Sequence, residues 1–292
     1  MLAWAMAISD WDRTLPVPPI LSRRAVAEAP GGWPGEAVEI RDGERTLRLY
    51  IPSAWKPGRD VELTINFHSV GWHAAQEHAA RGIRGPLLQV SAGVGSRAYE
   101  ALFADGRTAD RWFEPVLQEL RRRGAPSDAR IVALDVSSFS AGYGAVRLMA
   151  KDPRVFPLLR RVVLADSLYG DLDPSKPGRV PAAEDVDVWL PLAQAAMRRE
   201  KTFLITVSEV PTDYASSWEC AAAIARAVGG ELRPVEPGSC SATLDREHPL
   251  KARFDSGFLH IWGYGGADGP AHMSHVHHLA DLWMALDRSK RV

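Results

Sequence analysis

A serine stands at the centre of Ser138-Phe139-Ser140-Ala141-Gly142, with a small residue two places to either side. The apolar run Ile131–Val136 precedes it and a helical pattern follows, so the segment reads strand, tight turn, helix. Such a turn forces the serine into strained backbone geometry and projects its Oγ above the sheet. Small neighbours let strand and helix approach closely. The helix start also offers N–H groups and a positive dipole end to a developing oxyanion. A serine presented this way attacks a carbonyl when a base takes its proton and an acid steadies the base. The chemistry expected is acyl transfer.

The rest of the chain offers candidates for the base and the acid. Gly263 to His278 holds His272, His275, His277 and His278 after the last apolar run. His272 lies at the loop–helix junction and is favoured as the base; His275, one turn on, is the runner-up. His277 and His278 lie deeper in the helix and are expected to face solvent or packing. Asp166 ends the apolar segment Arg161–Ala165 and is favoured as the acid. Asp213 and then Glu209, both after the strand-like run Phe203–Val207, are the alternatives. A strand-end carboxylate is well placed to hold an imidazole, whereas Asp213 lies in a longer Pro-containing loop.

From about residue 37 onward, these motifs resemble the α/β-hydrolase family. Ser138 stands where that family usually has Gly. Asn66-Phe67-His68-Ser69-Val70-Gly71-Trp72 resembles the family's His-Gly oxyanion loop, with Ser69 replacing the first Gly. The resemblance implies a serine esterase with the triad Ser140, Asp166 and His272 and no cofactor. It implies an oxyanion hole formed by the N–H of Ala141 with that of Ser69 or Val70. His68, Trp72, Tyr169 and His275 are the candidate substrate-pocket residues.

These groups need a scaffold, and the periodicity supplies one. Short apolar runs at Val61–Phe67, Leu87–Ser91, Ile131–Val136, Val162–Ala165, Phe203–Val207 and Phe258–Trp262 suit strands buried on both faces. Ala109, Trp112, Phe113, Val116, Leu117 and Leu120 make one helical face, closed by Arg121–Arg123 and Gly124. Ser216-x-x-Glu219 predicts a capping box before a helix over Ala221–Val228. Met273–Leu286 predicts a last helix with Val276, Leu279, Trp283 and Leu286 on one face. Strands alternating with helices predict an α/β fold, a mostly parallel sheet flanked by helices. Ala37–Arg41 and Thr46–Pro52 around Asp42-Gly43 predict an N-terminal hairpin. Residues 170–200 break the rhythm with Pro174, Pro177 and Pro181 and a short helix near Trp189–Arg198, and predict a lid-like excursion. Residues 1–35 read as an irregular leader and 36–292 as a single domain.

Composition narrows the alternatives. The 292 residues are 46% hydrophobic and 24% charged, which is globular and not disordered. Thirty-five basic and 36 acidic residues give a net charge of −1, without the basic excess of a nucleic-acid binder. No apolar run reaches the length of a membrane helix. Met1–Ser9 has no basic start and no clear cleavage site, so a cytoplasmic location is expected. Cys220 and Cys240 fit one disulfide or two thiols equally. His272, His275 and His278 drift around the helix at three-residue steps, so no metal is expected there. Gly93-x-Gly95-x-x-Ala98 has the form of a dinucleotide fingerprint, but Asp105-Gly106 interrupts the helix it would need. The expected partner is a small-molecule substrate. The other class of function compatible with these residues is a non-catalytic binding protein on the same scaffold.

Overall fold

The six continuous apolar runs become the six parallel strands at the centre of one sheet. In the computed structural model, which describes residues 35–43, 45–236 and 247–288, these are β3 (Asp60–Phe67), β4 (Leu87–Val90), β5 (Arg130–Phe139), β6 (Leu159–Ala165), β7 (Thr202–Val207) and β10 (Leu259–Tyr264). Their order is β4-β3-β5-β6-β7-β10, with every neighbouring pair parallel. Antiparallel strands extend both edges. β1 (Glu36–Asp42) pairs with β2 (Arg45–Ile51), and β2 pairs with β4. At the other edge β10 pairs with β9 (Leu250–Ser256), and β9 with the two-residue β8 (Arg233–Pro234).

Alternation along the strands explains why both faces had to be apolar. Val162 and Leu164 of β6, Phe203 and Ile205 of β7, and Leu259 and Ile261 of β10 enter one core. Residues that alternate with them, Val163, Leu204 and Trp262, enter a second core on the opposite face. The first face is covered by α3 (Thr108–Arg122), α4 (Tyr143–Lys151), α6 (Leu190–Met197) and α7 (Ser217–Ala227). The second is covered by α9 (Leu279–Arg288), through Leu279, Leu282, Trp283 and Leu286. The remaining helices are α1 (Gly71–Ala80), α2 (Ser96–Glu100), α5 (Ala183–Asp187) and α8 (Gly269–His277). Among the described residues, no helix is long and apolar enough to cross a membrane.

Several sequence expectations need correction. The last helix is two helices, α8 and α9, separated at His278. Trp189, in the 170–200 excursion, is fully buried and stacks on Phe203, with ring centroids 5.9 Å apart, so it is core and not part of a mobile-looking flap. The glycines of the fingerprint-like run have positive φ, but the helix they open, α2, has five residues and cannot serve as a dinucleotide helix. The capping box is present in full: Ser216 accepts from the Glu219 N–H, and the Glu219 carboxylate accepts from the Ser216 N–H. Residues 1–34 and Cys240 lie outside the described residues; Cys220 is buried.

Two buried histidines give the fold a defined acid response. Burial pushes His78 down to about 4, against the help of the Gly85 carbonyl it meets at 2.9 Å. Burial likewise pushes His275 down to about 4, outweighing the attraction of Asp166. Unfolded imidazoles protonate near pH 6.5, so between pH 6.5 and 4 the unfolded chain binds the extra protons. The stability these two neutral rings contribute is therefore complete above pH 6.5 and lost as pH falls towards 4. Urea unfolding should show a loss of about 2 kcal/mol per histidine between pH 7 and 4.5. A stability that stays flat over that interval would refute the assignment.

Candidate active site

Four of the central strands end level with one another at their carboxyl ends. Register pairs Phe67 with Ser138, Phe139 with Ala165, and Ala165 with Thr206. The next residues are therefore His68 after β3, Ser140 after β5, Asp166 after β6 and Ser208 after β7. Three of these four carry positive φ without being glycine: His68 at 62°, Ser140 at 49° and Asp166 at 43°. Each such residue costs about 1–3 kcal/mol and persists only where its surroundings over-determine it. The strain is concentrated at the residues that the sequence offers as candidate nucleophile, acid and oxyanion loop.

The turn at Ser140 is tight for a visible reason. A Cβ added to Gly142 would meet the Phe67 Cβ at 2.9 Å, the Phe67 carbonyl oxygen at 3.0 Å and the Ser138 Cβ at 3.0 Å. Strand and helix start approach so closely that only glycine fits. Ser138 is more than a tolerated small residue. Its hydroxyl lies 2.8 Å from the Ser167 hydroxyl, which in turn donates to the Ser140 carbonyl at 2.7 Å. This relay clamps the backbone of the turn and could not be inferred from spacing.

Asp166 and His272 come together across 106 residues. Asp166 is wholly buried. Its carboxylate accepts from the Ser208 N–H at 3.1 Å, the Ser208 hydroxyl at 2.5 Å and the Ser217 hydroxyl. It lies 2.7 Å from Nδ1 of His272. Burial alone would raise its pKa. The hydrogen bond from His272, the nearby imidazoles and the Ser208 hydroxyl more than offset this and hold it down at about 2. An ionised carboxylate only accepts, so Nδ1 of His272 carries the proton and Nε2 presents a lone pair. The imidazole is 21% exposed, on the first turns of α8. Its ring stacks on Phe139, the residue before Ser140, at 4.4 Å between centroids. Ser208 and Ser217 were not foreseen: ordinary serines gain their role only through contacts 42 and 51 residues away.

The other acid and base candidates lie elsewhere. Asp213 is exposed. Glu209 accepts from the Gly266 N–H at 3.0 Å and pairs with Lys251, so it anchors the loop leading to α8. His275 is fully buried, with Nδ1 2.7 Å from the Thr206 hydroxyl and its ring edge-on to Tyr264. It lines none of the cavities described here and is corrected from pocket residue to core. His277 lies beside His73, and Nδ1 of His278 lies 2.6 Å from Asp281. Among the described residues, no group of three or more His, Cys, Asp or Glu side chains is placed to hold a metal.

The loop after β3 is fixed by its own sequence. The Ser69 hydroxyl donates to the Asn66 side-chain oxygen, Asn66 donates to Ser137 at 2.9 Å, and Gln89 donates to the Ser69 carbonyl at 2.7 Å. Val70 then caps α1. Two cavities flank the Phe139–Ser140 step. One, of about 580 Å³, is bounded by His68, Val70, Trp72, Phe139, Met273 and Val276, among others. The other, of about 500 Å³, includes Ser140, Ala141, Tyr143, Arg147, Tyr169 and Asp185 in its wall. Arg147 is held there by Glu100 and, at 2.5 Å, by Asp185.

No protein-family model and no curated protein matches this chain. Solved structures do align with it at low identity. An esterase from Pseudomonas putida ECU1011 shares 11% identity over 89% of this chain and 82% of its own, with a TM-score of 0.43. Est1E from Butyrivibrio proteoclasticus shares 13% over 87% and 99%, with a TM-score of 0.41. Poly(aspartic acid) hydrolase-1 from Sphingomonas sp. KT-1 shares 13% over 86% and 98%, with a TM-score of 0.45. Likeness at this level transfers neither substrate nor residue roles. The chain's own six parallel strands, the antiparallel pair on their β4 side and the strained serine turn after β5 form an α/β-hydrolase-like fold.

Proposed function

We propose that this protein is a serine hydrolase that cleaves a carboxylic ester by acyl transfer. The observation that carries this reading is the contact of the buried Asp166 with His272, whose imidazole lies face to face with the residue preceding the strained Ser140. Ser140 Oγ attacks the carbonyl carbon while His272 Nε2 takes its proton. Asp166 holds Nδ1 and balances the imidazolium charge. The tetrahedral oxyanion receives N–H donors from Ala141 and from Ser69 or Val70. The intermediate collapses, His272 returns the proton to the departing alcohol, and an acyl-serine remains. Water, deprotonated by the same Nε2, then releases the acid and restores Ser140.

The two cavities suggest a substrate with unlike halves. Val70 and Met273 expose apolar surface, 59% and 40% respectively, beside the first. Charged and tyrosine side chains dominate the second. Within the 170–200 excursion, backbone pairing of Leu172 with Pro181 and the burial of Trp189 and Leu192 favour a fixed wall over a moving lid. A panel of p-nitrophenyl and alkyl esters varying in chain length and charge tests the proposal. Turnover of at least one ester is expected, with kcat/KM rising through the ionisation of one group near neutral pH. Folded protein that hydrolyses none of them would favour a binding role for the same cleft.

A further inference from the structure

His272 belongs to a three-ring stack. Phe139 lies between two imidazoles, 4.4 Å from His272 at an interplanar angle of 30° and 6.1 Å from His68 at 22°. The outer ring of the stack is fixed. Nδ1 of His68 lies 2.7 Å from the Tyr99 hydroxyl, which also accepts from the Ala92 N–H, and the ring is held as well by a hydrogen bond to the Gly93 backbone. Tyr99 is itself fully buried. Phe139, only 7% exposed, therefore cannot tilt away from its neighbours.

The stack solves a problem that the carboxylate leaves open. One hydrogen bond at Nδ1 fixes a point on the imidazole but not its rotation about the Asp166–His272 contact. A ring face pressed against the imidazole removes that freedom and fixes where Nε2 aims. An aromatic face also attracts a cation, and it does so more strongly when shielded from water. The titratable groups facing His272 are Asp166 at its Nδ1 edge, His275 on its own helix and His68 beyond Phe139. Burial, then the proximity of His272, lowers the pKa of His68 and keeps that ring neutral, so it does not oppose a charge on His272.

We propose that Phe139 is a positioning residue for the base: its ring orients His272 and stabilises the imidazolium formed as Ser140 is deprotonated. This rests on the reading of His272 as the general base. The test uses the full chain as wild type, Phe139→Leu and Phe139→Tyr. Two readouts are taken: the titration of the His272 ring by nitrogen-detected NMR, and kcat and KM on the best ester of the panel. In Phe139→Leu, His272 should titrate about half to one pH unit lower. Its kcat should fall roughly tenfold with KM within twofold, because orientation is lost and binding is not. Phe139→Tyr keeps the ring and should restore both. If circular dichroism shows that the leucine variant is unfolded, Phe139→Met takes its place. Unchanged titration and kcat in the ring-free variant would overturn the proposal, as would equal losses in the leucine and tyrosine variants. The titration needs no turnover. A wild type that cleaves no ester would therefore count against acyl transfer, while the NMR shift still decides the role of the ring.

Discussion

Asp166→Asn should lower kcat by about 10⁴-fold while the protein stays folded. Asparagine has nearly the shape of aspartate, and the Ser208 and Ser217 hydroxyls can rotate to suit it. Its amide, however, presents one oxygen and one NH2 where Asp166 presents two acceptors. With the oxygen turned to Ser208 and Ser217, the NH2 faces Nδ1 of His272 and selects the tautomer with its proton on Nε2. That ring cannot accept from Ser140. The loss should appear in kcat more than in KM, since Asp166 is buried and touches no cavity wall. A fall of less than tenfold would show that the Asp166–His272 contact is structural only. Asp166→Ala goes further: it strips two serine hydroxyls and an imidazole of their shared acceptor, and should cost stability as well.

The second large effect separates two histidines one helical turn apart. His272→Ala should remove about 10⁴-fold or more of the turnover and lower the unfolding midpoint less than His275→Ala does, because the ring is partly exposed and Asp166 keeps its Ser208 and Ser217 donors. His275→Ala should do the reverse. It empties a fully buried site against Tyr264 and leaves the Thr206 hydroxyl with only its 3.4 Å bond to the Leu164 carbonyl, at a cost of about 2–4 kcal/mol. Its turnover at a temperature where it is folded should stay within about tenfold of wild type. Steady-state kinetics and thermal unfolding on the two variants decide the matter, and the opposite pattern would reassign the base to His275.

What could be read in the sequence followed from burial. The six central strands were legible because helices cover both faces of the sheet and force unbroken apolar runs such as Phe203–Val207. β9, Leu-Lys-Ala-Arg-Phe-Asp-Ser, was missed because only part of it is buried. Its charged side chains conceal a strand that pairs fully with β10. Helix α1 was missed for another reason. It buries His73, Glu77 and His78, polar residues that a hydrophobic pattern does not count. Glu77 earns its burial by accepting the Ala280 N–H of α9 at 2.6 Å, a contact across 203 residues.

The site was legible where it depends on chain order and illegible where it depends on the third dimension. The tight turn at Ser140 was legible through Gly142 and the strand before it. His272 and Asp166 were preferred for their places at element ends, which the fold turns into a 2.7 Å contact. Ser167, Ser208 and Ser217 had no sequence signal, because a hydroxyl that clamps a turn or a carboxylate looks like any other serine. Nothing in the sequence set Phe139 apart from other strand-end aromatics. Its proposed role rests on lying between two imidazoles, one just after β3 and one on α8.

The most direct test of an activated Ser140 is fluorophosphonate labelling of the folded protein, mapped by mass spectrometry, on wild type and Ser140→Ala. A single adduct on Ser140, absent from the variant and slowed by Asp166→Asn, is the predicted result. An unlabelled wild type, or an adduct on another serine that persists in Ser140→Ala, would contradict it.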